Sequence, residues 1–149
     1  MRRVVMAVVL GGLVLTGLTI RPASAASWEQ WYGQNCGGIQ VDRCAWLDYD
    51  RAAGLIRAGG NTRDEINGGN YSVAVNDTMV QVLPFGGPWT TIDGTAAGDF
   101  DGWHPVWDAS TSKSAGVWCG FQYRALTYHR WTGASDGSEW IASNPVTFC

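Results

Sequence analysis

Three groups of side chains in this 149-residue sequence are candidates for catalysis, metal binding or ligand recognition, and the first is a histidine with a glutamate. His129 and Glu139 face each other if residues 117–131 and 138–149 form a hairpin around a polar turn at 132–137. A histidine beside a carboxylate can act as acid and base in a small hydrolase such as a ribonuclease. The same pair is also an ordinary polar contact between strands on a solvent-exposed face, which is the simpler interpretation.

The second group consists of carboxylates in a glycine-bounded loop, Asp93, Asp99 and Asp101. Oxygen ligands at alternate loop positions suit Ca²⁺, so these three residues are a candidate calcium site. The segment does not complete the usual calcium-binding loop, and aspartate next to glycine is typical of plain turns. We keep calcium as a hypothesis beside the plain turn, and we expect no cofactor.

The third group is aromatic. All nine tryptophans lie after residue 26, and Trp89, Trp103, Trp107 and Trp118 lie within or around a loop-rich segment between residues 85 and 110. Exposed indole rings stack on the apolar faces of sugar rings, and they also anchor protein partners. Burial in the core is the alternative, but nine tryptophans exceed what one small core requires. The sequence therefore predicts a ligand-binding surface that includes these four residues.

A proline at each end marks a short rigid loop at Pro84–Pro88, with the sequence PFGGP. Proline fixes the backbone φ, and glycine permits the tight turn between the two prolines. An exposed loop of this kind is used by some protease inhibitors, although similar loops are common without that role. A small secreted inhibitor or antagonist is therefore the alternative to a sugar-binding domain.

The first 25 residues have the pattern of a cleaved secretory signal peptide. Arg2 and Arg3 precede an uncharged apolar run over residues 4–20, and Ala23–Ala25 supplies the small-residue cleavage site. The apolar run is at the short end of what spans a bilayer, and glycines and threonines interrupt it, which favours cleavage over anchoring. The sequence predicts a secreted, extracellular domain over residues 26–149, with no membrane association after cleavage.

Charge excludes two classes of partner for this domain. Beyond residue 25 there are seven basic and 13 acidic residues, a net charge of −6. Nucleic acids and anionic membranes are bound through cationic surfaces, so neither is expected as a partner. The length fits a single domain with its own core, and we expect a monomer.

Four cysteines, Cys36, Cys44, Cys119 and Cys149, allow three disulfide connectivities. The hairpin that aligns residues 129 and 139 also aligns residues 119 and 149, because the register is constant along a regular ladder. Directly opposed strand residues lie at the Cα separation of a disulfide. We therefore predict Cys119–Cys149 and Cys36–Cys44, with Pro145 placing the last strand at a sheet edge or bulge.

The elements that must position these residues are predicted to be strands. Many aromatic residues and 20 glycines favour strands joined by turns. The alternation of apolar and polar residues predicts strands on both sides of a turn at 50–53, with a helix over 45–58 as the alternative. The same alternation predicts a hairpin over Tyr71–Leu83, with its turn at Asn76 and Asp77. About seven strands in total predict an all-β, disulfide-stapled, two-sheet antiparallel sandwich of immunoglobulin-like architecture.

Residues 44–81, and in particular the segment GGNYSVAVNDTMVQ, resemble small secreted proteins of filamentous soil bacteria whose function is uncharacterised. The resemblance implies a β-sandwich and brings no catalytic motif with it. We therefore expect a secreted, non-catalytic domain that binds an extracellular polysaccharide or protein through its aromatic and acidic loops.

Overall fold

The computed structural model describes residues 27–65, 70–94 and 100–149. These residues form strands joined by turns and loops, and they contain no helix. The strands form two antiparallel sheets that pack face to face, so the predicted all-β sandwich is confirmed. The first sheet contains β1 (Glu29–Gly37), β2 (Val41–Asp50), β3 (Leu55–Asp64), β6 (Trp107–Thr111) and β7 (Ala115–Gly116). The second contains β4 (Tyr71–Leu83), β5 (Thr90–Gly94), β8 (Gln122–Gly133), β9 (Gly137–Ala142) and β10 (Val146–Thr147).

The described residues form ten strands, where the sequence pattern predicts about seven. The difference comes partly from interrupted edge strands, because β6 and β7 both pair with β3, and β9 and β10 both pair with β8. Pro145 lies in the second interruption, at a sheet edge as its missing N–H requires. Each sheet therefore has four strand positions, in the orders β1-β2-β3-β6 and β10-β8-β4-β5.

The strands β2 and β3 form a regular hairpin, so the helical alternative over residues 45–58 is wrong. Alternate residues of β2, including Leu47, face the core together with Ile56 of β3. On the outer face, the ring of Trp46 lies against the backbone of Gly59, where an added Cβ would approach the ring to 2.4 Å. The glycines that weaken a helix here allow this close approach between strands.

The predicted hairpin over Tyr71–Leu83 is wrong, because these residues form the single strand β4. The ladder with β8 shifts by one residue between Val75 and Asp77, which marks a β-bulge at Asn76. Before the bulge the odd-numbered residues face inward, and after it the even-numbered residues do, including Val80. One extra residue reverses the alternation of inward and outward side chains, and a turn has the same effect. The sequence pattern alone therefore does not distinguish a bulge from a turn.

Both predicted disulfides, Cys36–Cys44 and Cys119–Cys149, are confirmed, and the described part of the chain has no free cysteine. The predicted register holds along the whole of β9, but it shifts by one residue before β10. Cys119 lies in the turn before β8, so the second disulfide closes across the shifted end of the ladder.

The predicted signal peptide, residues 1–25, lies outside the described residues. Within the described ranges, no helix has the length and apolar character needed to cross a membrane. Secretion therefore stays a prediction, with which the two disulfides are compatible.

Candidate functional site

The outward face of the second sheet carries a row of large polar and aromatic side chains. Along β8 the residues Tyr123, Ala125 and Thr127 are buried between the sheets. Because side chains alternate along a strand, Arg124, Tyr128 and the others between them face outward. The β9 residues that pair with them extend this face to the sheet edge.

Two aromatic contacts border a shallow groove on this face. Tyr128 and Trp140, opposed across β8 and β9, stack with ring centroids 4.8 Å apart. Phe100 and Trp103 meet edge to face at 5.6 Å, and the guanidinium of Arg130 lies over both rings. The groove has a volume of about 460 Å³, and its lining includes Trp103, Tyr128, Arg130, Thr132, Asp136 and Ser138.

The polar end of the groove is held by the turn between β8 and β9. The carboxylate of Asp136 accepts a hydrogen bond of 2.6 Å from the Thr132 hydroxyl and a second one, of 3.3 Å, from the Gly133 N–H. The turn also brings the backbone of Gly137 against the Trp131 ring, where a Cβ would approach to 2.2 Å. Aromatic rings and fixed polar groups therefore converge on one concave surface, as in many ligand sites.

The segment that carries Trp103 is anchored to both sheets. The backbone of His104 exchanges two hydrogen bonds with Val73 of β4, at 2.8 and 3.0 Å. The buried carboxylate of Asp108, in β6, accepts a hydrogen bond of 2.6 Å from the Val75 N–H. These contacts link β6 of the first sheet to β4 of the second and hold the backbone next to Trp103 in place.

A cluster of metal-ligand type lies in the same segment. Ligand atoms of Asp101, His104 and Asp108 lie within 4.8 Å of one another. The His104 ring Nε2 lies 3.0 Å from Asp101 Oδ1, and this hydrogen bond raises the pKa of His104. Burial raises the pKa of Asp108. The His104 Nε2 also lies 3.7 Å from Asp108 Oδ1, so the imidazole is close to both carboxylates.

The calcium hypothesis is not tested by this cluster. Asp101 belongs to it, Asp93 accepts a hydrogen bond from the Gly94 N–H instead, and Asp99 lies outside the described residues. A calcium site formed by Asp93, Asp99 and Asp101 therefore stays a prediction.

The four predicted tryptophans lie in three different places. Trp103 borders the groove, and Trp89 packs against Arg124 on the same sheet, with 4.3 Å between guanidinium carbon and ring centroid. Trp107 begins β6 in the first sheet, and Trp118 lies in the turn before β8 against Phe121. Only two of the four therefore belong to the surface that contains the groove.

Sequence reasoning missed Tyr128, Arg130 and Trp140 as site residues. The signal for two of them was present, because the hairpin register that aligns His129 with Glu139 also aligns Tyr128 with Trp140. The alternation of side chains along β8 also places Arg130 on the same face as Tyr128. The contact of Arg130 with Phe100 and Trp103 joins segments that are distant in sequence, and no local pattern predicts it.

His129 and Glu139 are opposed in the ladder as predicted, but they are not arranged as a catalytic pair. His129 is completely buried, with its Nδ1 2.8 Å from the Thr62 hydroxyl. The partly exposed carboxylate of Glu139 forms a 3.2 Å ion pair with Arg43. A substrate cannot reach the His129 imidazole unless the sheets separate.

The loop at Pro84–Pro88 begins with a turn closed by a hydrogen bond of 3.1 Å from the Gly87 N–H to the Pro84 carbonyl. Phe85 is 87% exposed at this turn, and its ring contacts Phe121 with 5.2 Å between the centroids. The loop is therefore a projecting turn with an apolar tip, as the inhibitor hypothesis requires.

No protein-family model matches this chain, and no curated protein is significantly similar to it in sequence. The resemblance of residues 44–81 to secreted proteins of filamentous soil bacteria therefore stays a prediction. Function must be inferred from the groove and its surroundings.

Proposed function

We propose that this chain is a secreted, non-catalytic domain that binds an extracellular polysaccharide in the groove on the outer face of its second sheet. The observation that carries the proposal is the arrangement of Trp103, Tyr128 and Trp140 beside the fixed polar groups of Thr132 and Asp136. Aromatic rings offer flat surfaces to the CH faces of sugars, and the polar groups can bind hydroxyls.

The open form of the groove favours a sugar chain over a small enclosed ligand. The groove is open to solvent, Trp103 and Tyr128 line it, and Trp140 stacks on the Tyr128 ring beside it. An open groove accommodates a polymer that continues past both ends. The burial of His129 removes the imidazole of the hydrolase hypothesis from any substrate, which supports binding without catalysis.

The proposal is tested by affinity electrophoresis and by retention on insoluble cellulose and chitin, with the purified protein and its variants. Trp103→Ala and Trp140→Ala are each expected to weaken binding by roughly fivefold or more, because truncating a central aromatic contact costs about 1 kcal/mol or more. Trp107→Ala is the matched control, since Trp107 is similarly exposed but lies in the first sheet.

Absence of retention on every polysaccharide would contradict the proposal. Equal losses of affinity in Trp103→Ala and Trp107→Ala would also contradict it, because the groove would then have no special role. The inhibitor alternative rests on the exposed Phe85, and it predicts that Phe85→Ala abolishes protease inhibition while sugar binding is unchanged.

A further inference from the structure

The six arginines of the described part of the chain fall into two classes. Four lie on strands or turns of the first sheet, and each has a carboxylate partner at 3.1–3.3 Å: the pairs are Arg43–Glu139, Arg51–Glu29, Arg57–Asp48 and Arg63–Glu65. Arg124 and Arg130 lie on the outer face of the second sheet, and neither forms an ion pair within the described ranges. In an acidic protein, two arginines without carboxylate partners on one face require an explanation.

Both of these arginines are held by aromatic rings. Arg124 lies 4.3 Å from the Trp89 ring centroid, and its Nε donates a 2.9 Å hydrogen bond to the Gln81 side chain. Arg130 lies 5.1 Å from the Trp103 centroid and 5.5 Å from that of Phe100. A guanidinium stacked on rings is fixed in place and keeps its N–H groups available at the edge. Burial also lowers the pKa of Arg124.

We infer that the polysaccharide is anionic, and that its acidic groups bind Arg130 and Arg124 while its sugar rings stack on Trp103, Tyr128 and Trp140. This inference rests on the function proposed above. The planar guanidinium fork matches a carboxylate or sulfate through two parallel hydrogen bonds, which a neutral hydroxyl cannot provide.

The spacing of the two arginines indicates a polymer. They are six residues apart on β8, which corresponds to about 20 Å along an extended strand. Tyr128 lies between them on the same face. One small acid cannot reach both guanidinium groups, whereas a chain with repeated acidic groups can bind both and cover the ring between them.

Two carboxylates on this face, those of Asp136 and Asp77, should repel an anionic ligand to different degrees. Asp136 accepts hydrogen bonds from Thr132 and Gly133, which reduce the effect of its charge on a ligand. Asp77 is paired in register with Tyr128, between the two arginines. Asp77→Asn is therefore expected to strengthen binding of an anionic chain, and it should leave binding of a neutral chain unchanged.

The test is calorimetric titration of the purified protein with polygalacturonate, dextran sulfate and uncharged dextran. We expect at least one anionic polymer to bind tenfold or more tightly than dextran, and its affinity to fall as salt is raised. Arg130→Gln and Arg124→Gln should each weaken anionic binding several-fold. Arg63→Gln, which removes the same charge from the first sheet, should change it less than twofold.

Arg130→Lys keeps the charge and loses the planar fork, so its affinity should fall between those of the parent protein and Arg130→Gln. Near-UV circular dichroism identifies any variant that fails to fold. If Arg130→Gln or Arg124→Gln fails to fold, the affinities of Arg130→Lys and Asp77→Asn for the anionic polymers test the inference. Equal binding of dextran and the anionic polymers would overturn the inference and leave the proposed function standing. Failure of every polysaccharide, including cellulose and chitin, would instead overturn the proposed function.

Discussion

The environment of the His129 imidazole keeps this side chain neutral. The imidazole has no exposed surface, and its Nδ1 is hydrogen-bonded to the hydroxyl of Thr62 in the opposite sheet. Its Nε2 has no hydrogen-bond partner among the described residues. Burial, and secondarily the charge of Arg43, lowers the pKa of His129 to about 3. The residue therefore links the two sheets as a neutral imidazole, and protonation would place an uncompensated charge in the core.

This burial predicts that acid weakens the fold through His129. The folded pKa is about 3 and the unfolded value is about 6.5, so the unfolded chain binds more protons between these pH values. Stability contributed by the neutral imidazole is present above pH 6.5 and is lost as the pH falls toward 3. The loss is at most on the order of 5 kcal/mol. Urea unfolding measured across this pH range tests the prediction.

The variant His129→Gln should be less stable at neutral pH, but its stability should fall less between pH 6.5 and 3. His104→Gln is the contrasting control, because the pKa of His104 is raised by its hydrogen bond to Asp101. Stability from His104 is present at low pH and is lost as the pH rises through its folded pKa, so this variant should lose more stability in acid. An unchanged acid dependence in His129→Gln would show that the imidazole does not govern it.

At the scale of the elements, the bulge in β4 keeps apolar side chains in the core while the strand continues without a turn. Val73 and Val75 face inward before Asn76, and Val80 and Val82 face inward after it. The extra residue is Asn76, because β8 has no matching irregularity in its alternation. A bulge also increases local twist, which bends this end of the second sheet.

The bulge predicts opposite outcomes for two single-residue deletions. Removing Asn76 leaves a regular strand in which Val75, Thr78 and Val80 still face inward, so this variant should fold with a cooperative thermal transition. Removing Met79 places Val80 and Val82 out of phase with the core, so this variant should not reach the native fold. Near-UV circular dichroism and thermal unfolding compare the two; equal tolerance of both deletions would contradict the bulge assignment.

Residue patterns predict the strands and the β8–β9 register because both depend on local information. The polar turn at 132–137 fixes which residues of β8 and β9 are opposed, and this register brings Cys119 close enough to Cys149 for a disulfide despite the one-residue shift before β10. The same information does not separate a bulge from a turn at Asn76, since both reverse the alternation. Local patterns also do not predict the contact of Phe100 and Trp103 with Arg130, because that contact depends on the path of a long connection.

At the scale of the whole molecule, the two outer faces differ in how their charges are used. Every arginine of the first sheet has a carboxylate partner, and three of them also lie over aromatic rings, whereas the two arginines of the second sheet lie over rings and form no ion pair among the described residues. The two disulfides and the apolar core between the sheets hold both faces in place. The charges of the first-sheet arginines are therefore offset by carboxylates, whereas those of Arg124 and Arg130 are not.

The most direct test of this account is an NMR titration that follows the nine indole N–H signals as polygalacturonate, dextran sulfate, cello-oligosaccharides or chito-oligosaccharides are added. Each tryptophan gives its own signal, so the experiment locates the binding face without mutation. We expect at least one of these ligands to shift the signals of Trp103 and Trp140, while those of Trp46 and Trp107 in the first sheet stay unchanged. Shifts confined to Trp46 and Trp107, or no shift with any of the four ligands, would contradict it.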